Sequence, residues 1–348
     1  MSRRSLTMII ASIGTAAAIA VSVLIPVPYV ILGPGPTLNT IGKDSSGQEL
    51  ITIDGHTTHP TSGNLNMVTI SSAGGPGENI NIWGALAAWL NPDEAVVPES
   101  ELYPSGQTAE ETQQQDTAEM NGSQQTATAA ALTYLNIPFQ TFITVQGTAS
   151  GYPANNVLKV GDIITKVNGS PVTSDTVLQN LIRAHPGGTV LDITVQRGGN
   201  TENLRIPTVQ NKNTGGVPII GIDVEDQYKF PFTVKFDLGS QIGGPSAGTM
   251  FALGIIDKLT ADNLTGGKFI AGTGEIDANG DVEAIGGIQQ KMVGARNAGA
   301  TIFLAPASNC SDVNGAIPAG LRVVKISTLS QAVTYLDDIK EGKPVPSC

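Results

Sequence analysis

Basic residues are scarce in this chain, and nowhere do they form a block longer than the pair Arg3-Arg4. Nineteen lysines and arginines stand against 30 aspartates and glutamates, leaving a net charge of -11 over 348 residues. A nucleic-acid partner needs a basic face to displace counterions from phosphate, so that role is set aside. Histidine is rarer still, with three residues: His56, His59 and His185. The spacing of His56 and His59 would suit a metal pair, but no Glu neighbour on a helix and no third ligand accompany them. No metal ligand is assigned and no cofactor is expected. A G-x-x-x-x-G-K-[ST] phosphate loop is also missing, and Gly266-Gly267-Lys268-Phe269 does not supply one. Aromatic residues make up 5%.

Charge is absent from one long stretch altogether. No charged residue occurs between Ser5 and Gly42, and Met8 to Leu32 is almost entirely apolar or small. That exceeds the roughly 20 residues needed to cross a bilayer. Arg3 and Arg4 precede the run and the next basic residue is Lys43. The positive-inside rule then predicts a short cytoplasmic tail (1–7), an anchor (8–32) and export of everything beyond, on a single-pass protein of the cell membrane. A cleaved signal peptide is the competing reading, but no A-x-A-like site follows the apolar run. The two cysteines, Cys310 and Cys348, both fall in the exported part. An oxidising compartment allows a disulfide between them.

Glycine (41) and proline (21) are plentiful, as turn-rich, β-containing chains require. The composition and patterning predict a mixed α+β protein. Residues 33–133 open with turn signals and strand-like runs such as Gly63 to Ile70. A polar, low-complexity excursion covers about 98–125, read as a solvated helix or a flexible segment. Ser123 then serves as candidate N-cap of an Ala-rich helix ending near Leu135. Between 134 and 210 the pattern is that of a compact β-rich module. It contains one helix, Ser174 to Ala184, with Val177, Leu178, Leu181 and Ile182 on its apolar face.

The run Lys159-Val160-Gly161-Asp162-Ile163-Ile164, followed by Val167-Asn168-Gly169, makes this module resemble a PDZ domain. Such domains bind an extended peptide as an added strand beside a helix. The resemblance implies a terminus-binding loop at Tyr134, Leu135, Asn136 and Ile137, and a groove lined by Val177 and Leu181. Packing in the core is the alternative role for each of these apolar residues.

Further on, an alternating strand from Phe232 to Leu238 leads to Gly243-Gly244-Pro245-Ser246-Ala247-Gly248 and an apolar helix. A glycine turn at a helix start leaves backbone N–H groups unpaired, where they can stabilise an oxyanion. Ser246 could equally be a helix cap. Gly244-x-Ser246-x-Gly248 also fits the α/β-hydrolase elbow, but that order places the histidine after the serine, and all three histidines here precede it. A serine without histidine takes lysine as its usual substitute base. Lys291 lies among apolar and small residues in Gly286-Gly287-Ile288-Gln289-Gln290-Lys291-Met292-Val293-Gly294. Burial there would favour the neutral amine.

Three blocks in order, Gly244 to Gly248, Thr273-Gly274-Glu275-Ile276 and Ile285 to Lys291, make residues from Phe232 to about Leu336 resemble the proteolytic domain of the Lon family. The resemblance implies Ser246 as nucleophile, Lys291 as general base and Thr273 as the residue that orients the lysine. Gly243 and Gly244 are the backbone candidates for the oxyanion, beside Ser246. Gly243 departs from the acidic residue many Lon proteases have three before the serine. The missing phosphate loop removes the ATP-driven unfolding of true Lon enzymes. The anchor, PDZ module and protease domain together are similar to PDZ-containing Lon-like membrane proteases.

The resemblance further implies that the PDZ module is inserted, with 211–348 completing the proteolytic domain, and that a homo-oligomeric ring is open to it. The expected function is ATP-independent cleavage of unfolded or extended polypeptides outside the cytoplasm. Two alternatives are a membrane-tethered PDZ adaptor with an inactive scaffold, and an enzyme that only processes itself.

Overall fold

A computed structural model describes residues 3–43, 47–211, 215–239 and 242–348. The chain divides into two units. Unit 1 comprises Met1–Ile137 and Phe232–Cys348, and unit 2, Pro138–Pro231, interrupts it.

The apolar run forms helix α1 (Arg3–Leu24), shorter than the expected anchor. Pro26 and Pro28 cannot continue a helix, and the chain turns to strand β1 (Tyr29–Asn39). Residues 29–32 of the expected anchor therefore belong to β1. β2 (Asn64–Ala73), α2 (Ile82–Trp89) and β3 (Ala95–Pro98) follow, and then the long helix α3 (Ala109–Tyr134). Unit 2 supplies β4 (Gln140–Thr148), β5 (Ile163–Val167), α4 (Asp175–Arg183), β6 (Val190–Arg197), β7 (Asn200–Pro207) and β8 (Ile222–Lys229). The return to unit 1 brings α5 (Gly248–Leu259), β9 (Phe269–Gly272), α6 (Ile288–Asn297), β10 (Ile302–Pro306), β11 (Arg322–Ile326) and α7 (Leu329–Lys340).

Unit 1 is organised on a six-stranded mixed sheet, ordered β11-β10-β9-β2-β1-β3. Pairing is parallel from β11 to β2 and antiparallel across β2-β1-β3. β1 carries two prolines, and its register shifts between Pro34 and Thr37, the kind of irregularity at which a strand tolerates a missing N–H. All twelve residues of α5 are buried; most are apolar or small, while Lys258 pairs with Glu49 (2.8 Å) and Asp257 accepts from the Leu264 N–H (2.7 Å). α6 packs across β1 and β2. Gly294 permits that close approach, since a Cβ there would come within 3.1 Å of the Gly35 carbonyl, while Gly35 lets β1 close on β2, where its Cβ would meet Thr69 Oγ1 at 2.4 Å.

Helix α3 corrects the sequence expectation. It starts at Ala109, because Thr108 and Glu111 form a capping box, and so absorbs most of the polar excursion. Ser123 lies inside this helix and is not its N-cap.

Unit 2 is an antiparallel sheet, β7-β6-β5-β4-β8, with Ile143, Val145, Ile164, Leu191 and Ile193 in its core. Its boundaries differ from the expected 134–210. Tyr134 and Leu135 finish α3 in unit 1, whereas β8, assigned above to the protease domain, completes the sheet of unit 2. The aspartate of Lys-Val-Gly-Asp has a structural task. Buried Asp162 accepts hydrogen bonds from Arg197 Nε (2.7 Å), Arg197 Nη2 (2.6 Å) and the Lys159 N–H (2.8 Å). Such fork-like pairing is the geometry that makes a buried carboxylate tolerable. In unit 1, Cys310 and Cys348 are joined by a disulfide with Cα atoms 5.1 Å apart.

Candidate active site

Ser246 lies two residues before α5, half-buried, on the turn that enters the helix. Its own carbonyl is held twice, by the Gly274 N–H (2.9 Å) and by Thr273 Oγ1 (2.9 Å). Thr273 is wholly buried at the end of β9, and its N–H donates to the Leu304 carbonyl on β10 (3.1 Å). The turn that follows needs glycine: Gly274 has φ +151°, and a Cβ there would meet Thr249 Oγ1 at 2.6 Å and Val282 Cγ1 at 2.9 Å. The nucleophile candidate is therefore fixed through its main chain to the central sheet.

Lys291 reaches the same point from α6. Its Nζ donates to Ser246 Oγ at 2.6 Å and to Thr273 Oγ1 at 3.0 Å. Lys291 is 2% exposed. Burial lowers its pKa to about 8, with the Glu275 carboxylate acting in the opposite direction. A charged amine loses its hydration in such a place, so the neutral form gains relative weight. Thr273 uses its hydroxyl in both directions, accepting from Lys291 and donating to the Ser246 carbonyl. Ser246, Thr273 and Lys291, far apart in sequence, thus meet within hydrogen-bond distance.

The glycines before Ser246 are engaged differently from expectation. The Gly244 N–H, proposed above for the oxyanion, donates to the Asp116 carbonyl at 3.2 Å in this structure. Gly243 is exposed, and a Cβ there would lie 2.5 Å from Asp116 Cβ on α3. Helix α3 holds this loop at a second point, since Ser123 Oγ donates to the Pro245 carbonyl at 2.9 Å. Sequence reasoning missed Asp116 and Ser123. A serine inside an Ala-rich helical run was the available signal, and it was read as a cap.

The histidines lie elsewhere: the His56 ring packs 4.9 Å from Phe232, and His185 contacts Asn168. Among the described residues no cluster of three or more His, Cys, Asp or Glu is placed to hold a metal.

Unit 2 has a cavity of about 300 Å³ between α4 and the segment 218–224 that leads into β8. From the helix it is lined by Asp175, Leu178, Gln179, Ile182 and Arg183. Val177 and Leu181, named above for the groove, are not among its lining residues, and Leu181 packs against the unit 2 core. Tyr134, Leu135 and Ile137 are not there either. Their place is taken by Pro218, Ile219, Ile220 and Gly221. β8 pairs with β4 on one side and ends the sheet order on the other.

Comparison with known proteins matches each region separately. Residues 119–208 match the PDZ domain family, and residues 239–339 match the C-terminal proteolytic domain of Lon protease (S16). Among curated proteins, Lon protease of Neorickettsia sennetsu is 31% identical over 121 residues, covering 31% of this chain and 14% of that protein. Lon protease 2 of Bacillus subtilis is 34% identical over 114 residues, covering 32% of this chain and 19% of that protein. The chain thus spans less than a fifth of the length of either relative. Among solved structures, the PDZ domain of an SdrC-like protein from Listeria monocytogenes is 28% identical, covering 24% of this chain and 85% of that one, with a TM-score of 0.22. The chain joins a PDZ domain to a proteolytic domain of the Lon type, behind an apolar helix long enough to cross a membrane.

Proposed function

We propose that the chain is a membrane-anchored serine endopeptidase that cleaves extended polypeptides outside the cytoplasm with a Ser246–Lys291 pair, without ATP. One observation carries this reading: a buried lysine amine lies 2.6 Å from the hydroxyl of a half-buried serine. Neutral Lys291 takes the proton from Ser246 Oγ as that oxygen attacks the peptide carbonyl. The Lys291 ammonium then protonates the departing amine, leaving an acyl ester on Ser246. Lys291 next takes a proton from the incoming water and returns it to Ser246 as the ester breaks, releasing the carboxyl product. Thr273 keeps the amine aimed at Ser246 Oγ throughout. The oxyanion falls to the Ser246 N–H at the start of α5, with Gly243 beside it. Gly244 joins them only after release from Asp116.

The cavity of unit 2 suits an extended chain end, added as a strand along β8 against α4, which would recruit substrates. The test is digestion of an unfolded model protein by the purified full-length chain without ATP. Cleavage by wild type that vanishes in both Ser246→Ala and Lys291→Ala supports the pair. Cleavage unchanged in both variants refutes it. Peptide binding with no cleavage by wild type would favour the tethered adaptor.

A further inference from the structure

Helix α2 (Ile82–Trp89) contains no polar side chain, yet of its eight residues only Ala88 is buried. Trp83 is 49% exposed, Trp89 72%, and Leu90 at its C-cap 69%. Ile82 and Leu86 are likewise exposed. No charged residue occurs from Asn79 to Pro92. A helix apolar on all sides belongs in a core or in lipid, and contiguous exposed apolar surface marks an interaction site.

Its position selects the partner. Pro26–Val27, directly after α1, pairs with Ile80–Asn81, directly before α2. Trp83 Nε1 donates to Ser22 Oγ in the last turn of α1 at 2.8 Å. The first turn of α2 therefore lies level with the end of α1. With 22 residues α1 is about 33 Å long, close to the roughly 30 Å hydrocarbon thickness of a bilayer. α2 then sits where the chain leaves the lipid, the depth at which tryptophan concentrates. We infer that α2 is a second membrane contact, lying in the outer boundary of the bilayer with Trp83, Leu86, Trp89 and Leu90 in the acyl region. The inference rests on α1 crossing the bilayer. With no lysine or arginine in the segment, the attachment is apolar and independent of lipid charge.

Trp83 and Trp89 are the only tryptophans of the chain, so intrinsic fluorescence reports on α2 alone. The full-length chain is reconstituted into phosphatidylcholine vesicles, plain or brominated near the top of the acyl chains. The expected result is loss of most tryptophan emission in brominated vesicles, with little quenching by aqueous acrylamide. Trp83→Phe and Trp89→Phe should each retain lipid quenching through the remaining tryptophan. Replacing part of the lipid with phosphatidylglycerol should change none of this. Strong acrylamide quenching without lipid quenching would place α2 in water and overturn the inference. Insensitivity to both quenchers would mean that protein covers α2, and would also overturn it. Flotation of the same sample separates the two readings. Protein that floats with the vesicles but shows no lipid quenching leaves the α1 anchor standing and removes α2, whereas protein that does not float removes the anchor and α2 together.

Discussion

A lysine amine accepts a proton near neutrality only where its charged form is made costly, and Lys291 meets that condition by burial. With its pKa at about 8, the neutral fraction grows tenfold per pH unit below that value and levels off above it. The value of kcat/KM should follow the same curve. Glu275 opposes the effect of burial, because its carboxylate favours the ammonium. Burial, followed by Glu283 and Glu119, pushes the pKa of Glu275 itself up. Glu275→Gln removes that negative charge, so the midpoint of the pH–rate profile should move to lower pH. A midpoint that stays put or rises would show that Glu275 does not tune the amine. At this scale the sequence was most legible. Ser246, Thr273 and Lys291 sit in short blocks whose chemistry is local, and the structure brings them together. The state of the Gly244 N–H was not legible, since its acceptor lies on α3, more than a hundred residues earlier.

Helix α3 shows why whole elements were read less well. The residues after Thr108 are dominated by Glu, Gln and Thr, with no apolar stripe to announce a helix until the alanines begin. The capping box of Thr108 and Glu111 was the readable start signal. Unit 2 erred for a different reason. Hydrophobic periodicity identifies a strand but not its neighbour, and β8 joins β4 across some 70 intervening residues. The loop beside α4 is therefore supplied by 218–221, not by the residues that open the module. Within unit 1, α3 also acts on the candidate site. Ser123 is buried, and its hydrogen bond to the Pro245 carbonyl positions the residue just before Ser246. Ser123→Ala should cost about 1 kcal/mol of stability and lower kcat with little change in KM. Its pH midpoint should remain that of wild type, because Ser123 touches the loop and not Lys291. An unchanged kcat would refute the positioning role.

Across the whole chain, both cysteines belong to unit 1 and unit 2 has none. The Cys310–Cys348 bond spans 38 residues and encloses β11 and α7. That enclosed segment braces the turn between Thr273 and Lys291: the Val282 N–H donates to the Ser327 carbonyl (2.8 Å) and the Leu329 N–H to the Gly280 carbonyl (2.7 Å). Closing a loop of this size restricts the unfolded chain by an amount worth about 4 kcal/mol in the chain-entropy account. Cys348→Ser, or reduction of the wild type, should therefore lower the melting temperature of unit 1 by on the order of 10 °C. The hydrogen bonds joining Ser246, Thr273 and Lys291 involve no residue inside the cross-linked segment, so well below that temperature cleavage should persist. Calorimetry of the full-length chain is the check, because it can resolve unit 2 as a separate transition. A shift confined to one transition means the cross-link acts on unit 1 alone. A joint shift of both would mean that the inserted unit and its host unfold as one block. If neither moved, the bond would add nothing to the stability of unit 1, against the prediction.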